Sequence, residues 1–214
     1  MSFVHPSSIP EKPLCHSVIW LVCRVLLLLW GIIHFFFGYT TEFLQSIFAV
    51  AFTFLWDMFQ LWGGKSFITQ VSFKCQTRLN IFICFGCVVG TTLNKHTDFQ
   101  YTDILLHFIA GYIACASMYE FAALINGRKR QTGPAMRAMF ALAGAVLILV
   151  GWEIYEFSMD RIYGMNLQLS DLFSGEGLTD TMWDLIIGSF GALIAMFVEI
   201  RSFVKNNNPK KKEG

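Results

Sequence analysis

The stretch "MFALAGAVLILVGWEIYEFSMD", residues 139–160, decides how the chain is read. Its first part, through Val150, carries no charge. Glu153, Glu156 and Asp160 then follow within a few residues. A helix needs about 20 mostly apolar residues to cross the hydrocarbon of a bilayer, and residues 136–157 supply one such run, ending in carboxylates.

The rest of the chain has the same character. Over 214 residues it is 55% hydrophobic and 14% charged, with a mean hydropathy of +0.52. Soluble domains carry roughly 25% charged residues, so lipid is the implied solvent. The 22 phenylalanines suit a lipid-facing surface, and a net charge of +1 gives no basis for binding nucleic acid.

Five further runs, at 18–38, 43–62, 79–94, 103–125 and 181–203, complete an all-α polytopic bundle of about six transmembrane helices. The expected organisation is a tail at 1–17, a six-helix transmembrane domain at 18–204 and a basic tail at 205–214. The first run is too long for a secretory leader and has no A-x-A-like site after it, so it is read as a retained span.

Lys and Arg set the orientation. Lys12, Lys65, Lys74, Arg78, Arg128, Lys129, Arg130, Arg137, Arg201, Lys205 and Lys210–Lys212 all fall on one side of six crossings. Only Lys95 and Arg161 fall on the other, and Arg24 sits inside the first run, where it can snorkel. Both termini are therefore expected in the cytoplasm.

The carboxylates are distributed in the opposite sense. Asp98, Asp171 and Glu176 read as solvated loop charges. On the basic side, Asp57, Glu120 and Glu199 read as structural partners of nearby cations, Glu120 of Arg128–Arg130. Glu42 also lies on the outer side, and Asp103, Glu153, Glu156, Asp160, Asp180 and Asp184 have helical spacing. Successive residues turn by about 100°, so Glu153, Glu156 and Asp160 share a stripe. Asp103 lies one turn from His107, and Asp180 one turn from Asp184. Three helices thus bring ionisable groups to one depth near the outer face.

Ionisable groups at membrane depth cost at least about 2–3 kcal/mol each and normally face the bundle interior. Gathered acids need a cation, a shared proton or an arginine, and Arg161 is the local arginine. "DILLHFIAG" from Asp103 and "DTMWDLIIG" from Asp180 both read D-x-x-x-[H/D]-x-x-x-G. Gly111 and Gly188 close the two motifs and permit close helix approach.

Cys23, Cys84, Cys87 and Cys115 sit in apolar runs and read as packing residues. "CFGC" at 84–87 has redox spacing without the soluble βαβ context such a motif needs. Gly86 and Gly90, like Gly188 with Ala192 and Gly191 with Ala195, read as helix contacts.

"DILLHFIAG", "WEIYEF" and "DTMWDLIIGSFGA" together resemble the YjdF-type family of bacterial inner-membrane proteins and, more distantly, VanZ-like proteins. The resemblance covers roughly residues 100–195. It implies a small polytopic protein without an assigned reaction, and VanZ-like members are associated with glycopeptide resistance. It marks Asp103, His107, Glu153, Glu156, Asp180 and Asp184 as functional positions. The longer stretch at 163–179 departs from a compact VanZ-like unit.

Three functions remain open at this level. The first is an outer-face site for a divalent metal, with Asp103, His107, Glu153, Glu156, Asp160, Asp180 and Asp184 as candidate ligands. Glu153, Glu156 and Asp184 would then be the catalytic candidates. Carboxylates with one imidazole suit Zn2+, Mn2+ or Mg2+, and a bound metal can activate water against a lipid-linked or cell-envelope substrate. His34 and His96 lie near the same face. Against an enzyme, neither H-E-x-x-H nor G-x-S-x-G occurs. The second is a small proton- or cation-coupled transporter, for which six helices suffice as a homodimer. The third is a scaffold held by a structural acidic cluster.

Overall fold

A computed structural model of the protein describes residues 12–61, 72–96, 101–125, 133–168 and 176–206. Asp98, Asp171, Arg128–Arg130 and the basic tail after Asn206 lie outside the described residues, as do the side chains of His96 and Glu176. All regular structure among the described residues is helical. The six helices are α1 (Leu14–Phe36), α2 (Thr40–Leu61), α3, α4 (Tyr101–Ile125), α5 (Pro134–Tyr163) and α6 (Glu176–Asn206). Helix α3 runs as Phe73–Phe85, widens into a π-helical turn at Gly86–Gly90 and continues as Thr91–His96.

Among the described residues four helices, α1, α4, α5 and α6, are long and apolar enough to cross a membrane, and α2 carries a shorter apolar stretch at Thr40–Leu55. The elements fall where the apolar runs place them, most of them with longer ends, while α1 and α2 stop one or two residues early. α5 reaches Tyr163 and α6 begins at Glu176, because amphipathic turns extend the helices beyond their charge-free centres. α3 begins at Phe73, where the hydroxyl of Ser72 accepts from the Cys75 N–H at 3.2 Å and caps the first turn. α5 starts with Pro134 at its first position and ends at Gly164, whose φ of 63° makes the left-handed turn that stops a helix.

The helices form two compact units, residues 1–98 and 99–214. In the first unit, α1, α2 and α3 meet around Cys23, Leu27, Trp30, Ala49, Cys84 and Cys87. Packing is therefore the role of the "CFGC" cysteines, which are free thiols in this core. Polar groups tie the same helices together. Ser46 donates to the Leu27 carbonyl at 2.6 Å, and the Trp20 indole donates to Thr77 at 2.8 Å. Arg24 pairs with Asp57 at 2.5 Å and donates to the Thr53 carbonyl at 2.8 Å. The arginine expected to snorkel is thus held by a carboxylate of α2.

The second unit packs α4, α5 and α6 through small residues. Ala114, Cys115, Ala138, Ala141, Ala145, Ala192 and Ala195 form its core with Tyr119, while Leu147, Ile154, Ile186, Phe190 and Phe197 face outward. This arrangement of small residues inside and large apolar residues outside is the packing lipid favours. α4 and α6 run in the same direction and nearly touch at the ends of their two motifs. A Cβ on Gly111 would overlap the backbone carbonyl of Gly188, and one on Gly191 would overlap that of Phe108. α5 runs back across both, with Leu149 on Gly188 and Met118 filling the space at Gly144.

Three outcomes follow from these contacts. Gly111→Ala should destabilise the protein by about 2 kcal/mol, since backbone has to move to admit the methyl. Gly151→Ala, where the space is open, should be neutral or mildly stabilising in the same thermal-unfolding assay. Asp57→Ala should cost about 3–5 kcal/mol by leaving Arg24 uncompensated, and Arg24→Leu/Asp57→Leu should recover most of that loss.

Candidate functional site

The buried stripe of α5 is Ala138, Ala141, Ala145, Leu149, Glu153, Glu156 and Asp160. One helix face therefore carries alanines along most of its length and carboxylates at its end. The acids occupy positions a core residue would otherwise take. Arg137 and Glu153 are separated by roughly 24 Å of helix at 1.5 Å per residue, less than the ~30 Å hydrocarbon thickness. The charge-free segment between them is thus bounded at both ends within reach of the bilayer borders. Exposed Tyr101, Trp152, Tyr163 and Trp183 surround the acidic end, where an interfacial aromatic belt is expected.

His107 is the hub of the cluster. Its Nε2 lies 3.6 Å from Asp184 Oδ2 and 3.8 Å from Asp103 Oδ1, and its Nδ1 lies 3.8 Å from Glu153 Oε1. His107, Glu153, Glu156 and Asp184 are all buried and place one donor atom each within 4.8 Å of the others. Asp103, Asp180 and Asp184 form an adjoining group by the same measure. Glu156 accepts a 2.8 Å hydrogen bond from the Trp152 indole. Glu153 Oε2 and Asp184 Oδ2 are buried without a hydrogen-bond partner.

The glycine crossing explains why these groups meet. One turn along α4 from Gly111 is His107, and one turn along α6 from Gly188 is Asp184. With the two backbones nearly in contact at the glycines, the residues one turn nearer the acidic end are brought side by side. A further turn on stand Asp103 and Asp180. The two similar motifs therefore pair position by position, and α5 adds Glu153 and Glu156 from the third side.

Asp160 is in neither group of donor atoms. Its carboxylate accepts from the N–H of Leu167 at 2.6 Å and of Gln168 at 2.9 Å, and so binds the chain as it turns back after Gly164. The Gln168 side chain then donates to Thr181 of α6 at 2.9 Å. The stripe spacing that grouped Asp160 with the two glutamates is real, but backbone N–H groups satisfy this residue. Arg161 also departs from expectation: it is exposed and lies over the Phe157 ring, 5.2 Å from its centroid. It does not neutralise the cluster. His34 is engaged within its own unit, by the Trp30 carbonyl at 2.8 Å and by the Trp30 and Tyr39 rings.

Sequence reasoning missed the partner of Glu156 and the backbone role of Asp160. Trp152 stands four residues before Glu156, so an indole N–H on the same face was available to be noticed. The loop bonds of Asp160 depend on the left-handed turns at Gly164 and Asn166, of which only the glycine leaves a sequence signal.

Fold and site together define a polytopic helical membrane protein with a buried carboxylate–histidine cluster in its C-terminal three helices. A family model described as "Predicted membrane protein (DUF2238)" matches residues 16–205, and the chain belongs to that family. This is the YjdF-type family that its motifs resemble. No curated protein and no solved structure gives a match to the chain.

The separation of Asp160 from the cluster can be measured. Asp160→Ala should lower stability by about 1–3 kcal/mol through the two orphaned N–H groups, and it should leave any metal content per folded chain unchanged. A loss of bound metal in that variant, with the fold retained, would place Asp160 back among the ligands.

Proposed function

We propose that the protein is a membrane-embedded metalloprotein that binds a divalent cation through His107, Glu153, Glu156 and Asp184. The observation that carries this reading is the convergence of buried carboxylates on one imidazole: Glu153 Oε1 and Asp184 Oδ2 face His107, while Glu153 Oε2 and Asp184 Oδ2 have no hydrogen-bond partner. An isolated buried carboxylate is costly, and buried charges are normally paired or coordinate metals. Arg161 is turned away, and among the described residues no arginine or lysine pairs with the cluster, so a cation is the simplest partner for these oxygens.

The donor set fits. One imidazole and several carboxylates match the preferences of Zn2+ and Mn2+, and the oxygen donors alone suit Mg2+. A metal bound there would supply Lewis acidity and an activated water. The chain's own residues have distinguishable tasks in this reading. Trp152 fixes the orientation of Glu156. The glycine crossing fixes the spacing of His107 and Asp184. Glu153, the other α5 acid beside the imidazole, is the candidate for accepting a proton from water.

The bias of Lys and Arg toward the other end supports an outer-face position. The exposed aromatic residues support interfacial depth, where the head of a lipid-linked or envelope substrate would lie. α4, α5 and α6 are continuous through the cluster, which favours a fixed binding site over the broken-helix site common in transporters.

The test is metal content and thermal unfolding of the detergent-solubilised protein, with and without chelator. A ligand at about a hundred times its Kd stabilises by about 2.7 kcal/mol. Domains of this size shift by about 2–4 °C per kcal/mol. Chelation should therefore lower Tm by about 5–10 °C. Glu156→Gln/Asp184→Asn should fold, contain little metal and show no response to chelator. A metal-free wild-type protein indifferent to chelator would sink the proposal and favour proton sharing among the carboxylates.

A further inference from the structure

The acidic residues around His107 form two groups with one member in common. His107, Glu153, Glu156 and Asp184 make the first and Asp103, Asp180 and Asp184 the second, each with donor atoms within 4.8 Å of one another. Asp184 is 3% exposed, and its Oδ2 has no hydrogen-bond partner. We infer that the site holds two divalent cations bridged by Asp184, one bound by His107, Glu153 and Glu156 and the other by Asp103 and Asp180. The inference rests on the metal-binding reading above and extends it.

Three observations carry it. The first is geometric: Asp184 belongs to both groups, and a carboxylate with two oxygens can offer one to each ion. The second concerns charge. The two groups contain five carboxylates and one imidazole, with Arg161 facing away. One divalent ion leaves most of that negative charge unbalanced in a buried setting, where an unpaired charge is most costly. Two divalent ions balance nearly all of it.

The third observation is the gradient of burial. Every member of the first group is buried, whereas Asp103 and Asp180 are partly exposed. The first ion would be enclosed by protein. The second would sit at the mouth of the cluster with positions open to water or to a substrate oxyanion. Paired ions about 3.5–4 Å apart are the arrangement that clamps such oxygens. The repeated D-x-x-x-[H/D]-x-x-x-G motif then has a chemical reading, since its first positions, Asp103 and Asp180, hold the outer ion. Its middle positions, His107 and Asp184, reach the inner one.

Mn2+ is the probe that separates the outcomes. Full-length protein in detergent would be stripped of metal, titrated with Mn2+, and examined by elemental analysis and electron paramagnetic resonance. The wild type should bind about two ions per chain with an exchange-coupled spectrum, as expected for a carboxylate-bridged pair. Asp103→Asn/Asp180→Asn should bind about half as much Mn2+ and give the hyperfine pattern of an isolated ion. A wild type that saturates at a single isolated ion, or that holds its ions without exchange coupling, would overturn the bridged pair while leaving metal binding intact. A wild type that takes up no Mn2+, Zn2+ or Mg2+ would overturn both readings. The wild-type spectrum decides the matter even if the double variant does not fold.

Discussion

The contact of Gly111 with Gly188 sets the spacing on which the rest of the C-terminal unit depends. Neither residue has a side chain to hold α4 and α6 apart, so the backbones approach until carbonyl and Cα nearly touch. Lipid offers no hydrophobic drive for two apolar helices to associate, and close van der Waals packing between small residues takes its place. The alanines of α5 extend the same principle to the third helix. A helix pair held this close at one level is also close one turn away. That level carries His107 and Asp184.

Burial of the acids is therefore a consequence of the packing, and it comes at a cost. The inward stripe of α5 runs without interruption from Ala138 to Asp160, so Glu153 and Glu156 cannot turn to solvent without rotating the alanines out of the core. Trp152 relieves one oxygen of Glu156. The corresponding relief for Glu153 Oε2 and Asp184 Oδ2 is missing among the described residues, which concentrates the uncompensated charge beside one imidazole.

Much of this was legible in the sequence. The six helices follow from apolar runs, and the convergence of α4, α5 and α6 at one depth follows from counting turns from each border. The pairing of the two motifs was suggested by their shared spacing and closing glycines. Other features were less accessible because they depend on tertiary choices. Spacing groups Asp160 with Glu153 and Glu156, and only the loop geometry after Gly164 shows that backbone N–H groups claim it. Arg161 is near the acids in sequence, but its position on α5 directs it outward. Arg24 looked like a snorkelling residue because its partner, Asp57, is remote in sequence and supplied by another helix.

That last pair helps to separate structure from function. Arg24 and Asp57 are a buried polar arrangement in which the charges cancel and the guanidinium also finds Thr53. Thr77 likewise takes the indole N–H of Trp20, and Ser46 finds the carbonyl of Leu27. In each of these pairs a buried polar group of one helix meets a matching group of another. The cluster on α4, α5 and α6 differs from these pairs in gathering five carboxylates about one imidazole. Apolar residues of similar volume would pack these positions at no such cost, and replacements of that kind are often stabilising. A cluster whose only task was to join three helices would gain from them. The arrangement fits the proposed site, whose imidazole and carboxylate donors would be completed by a cation.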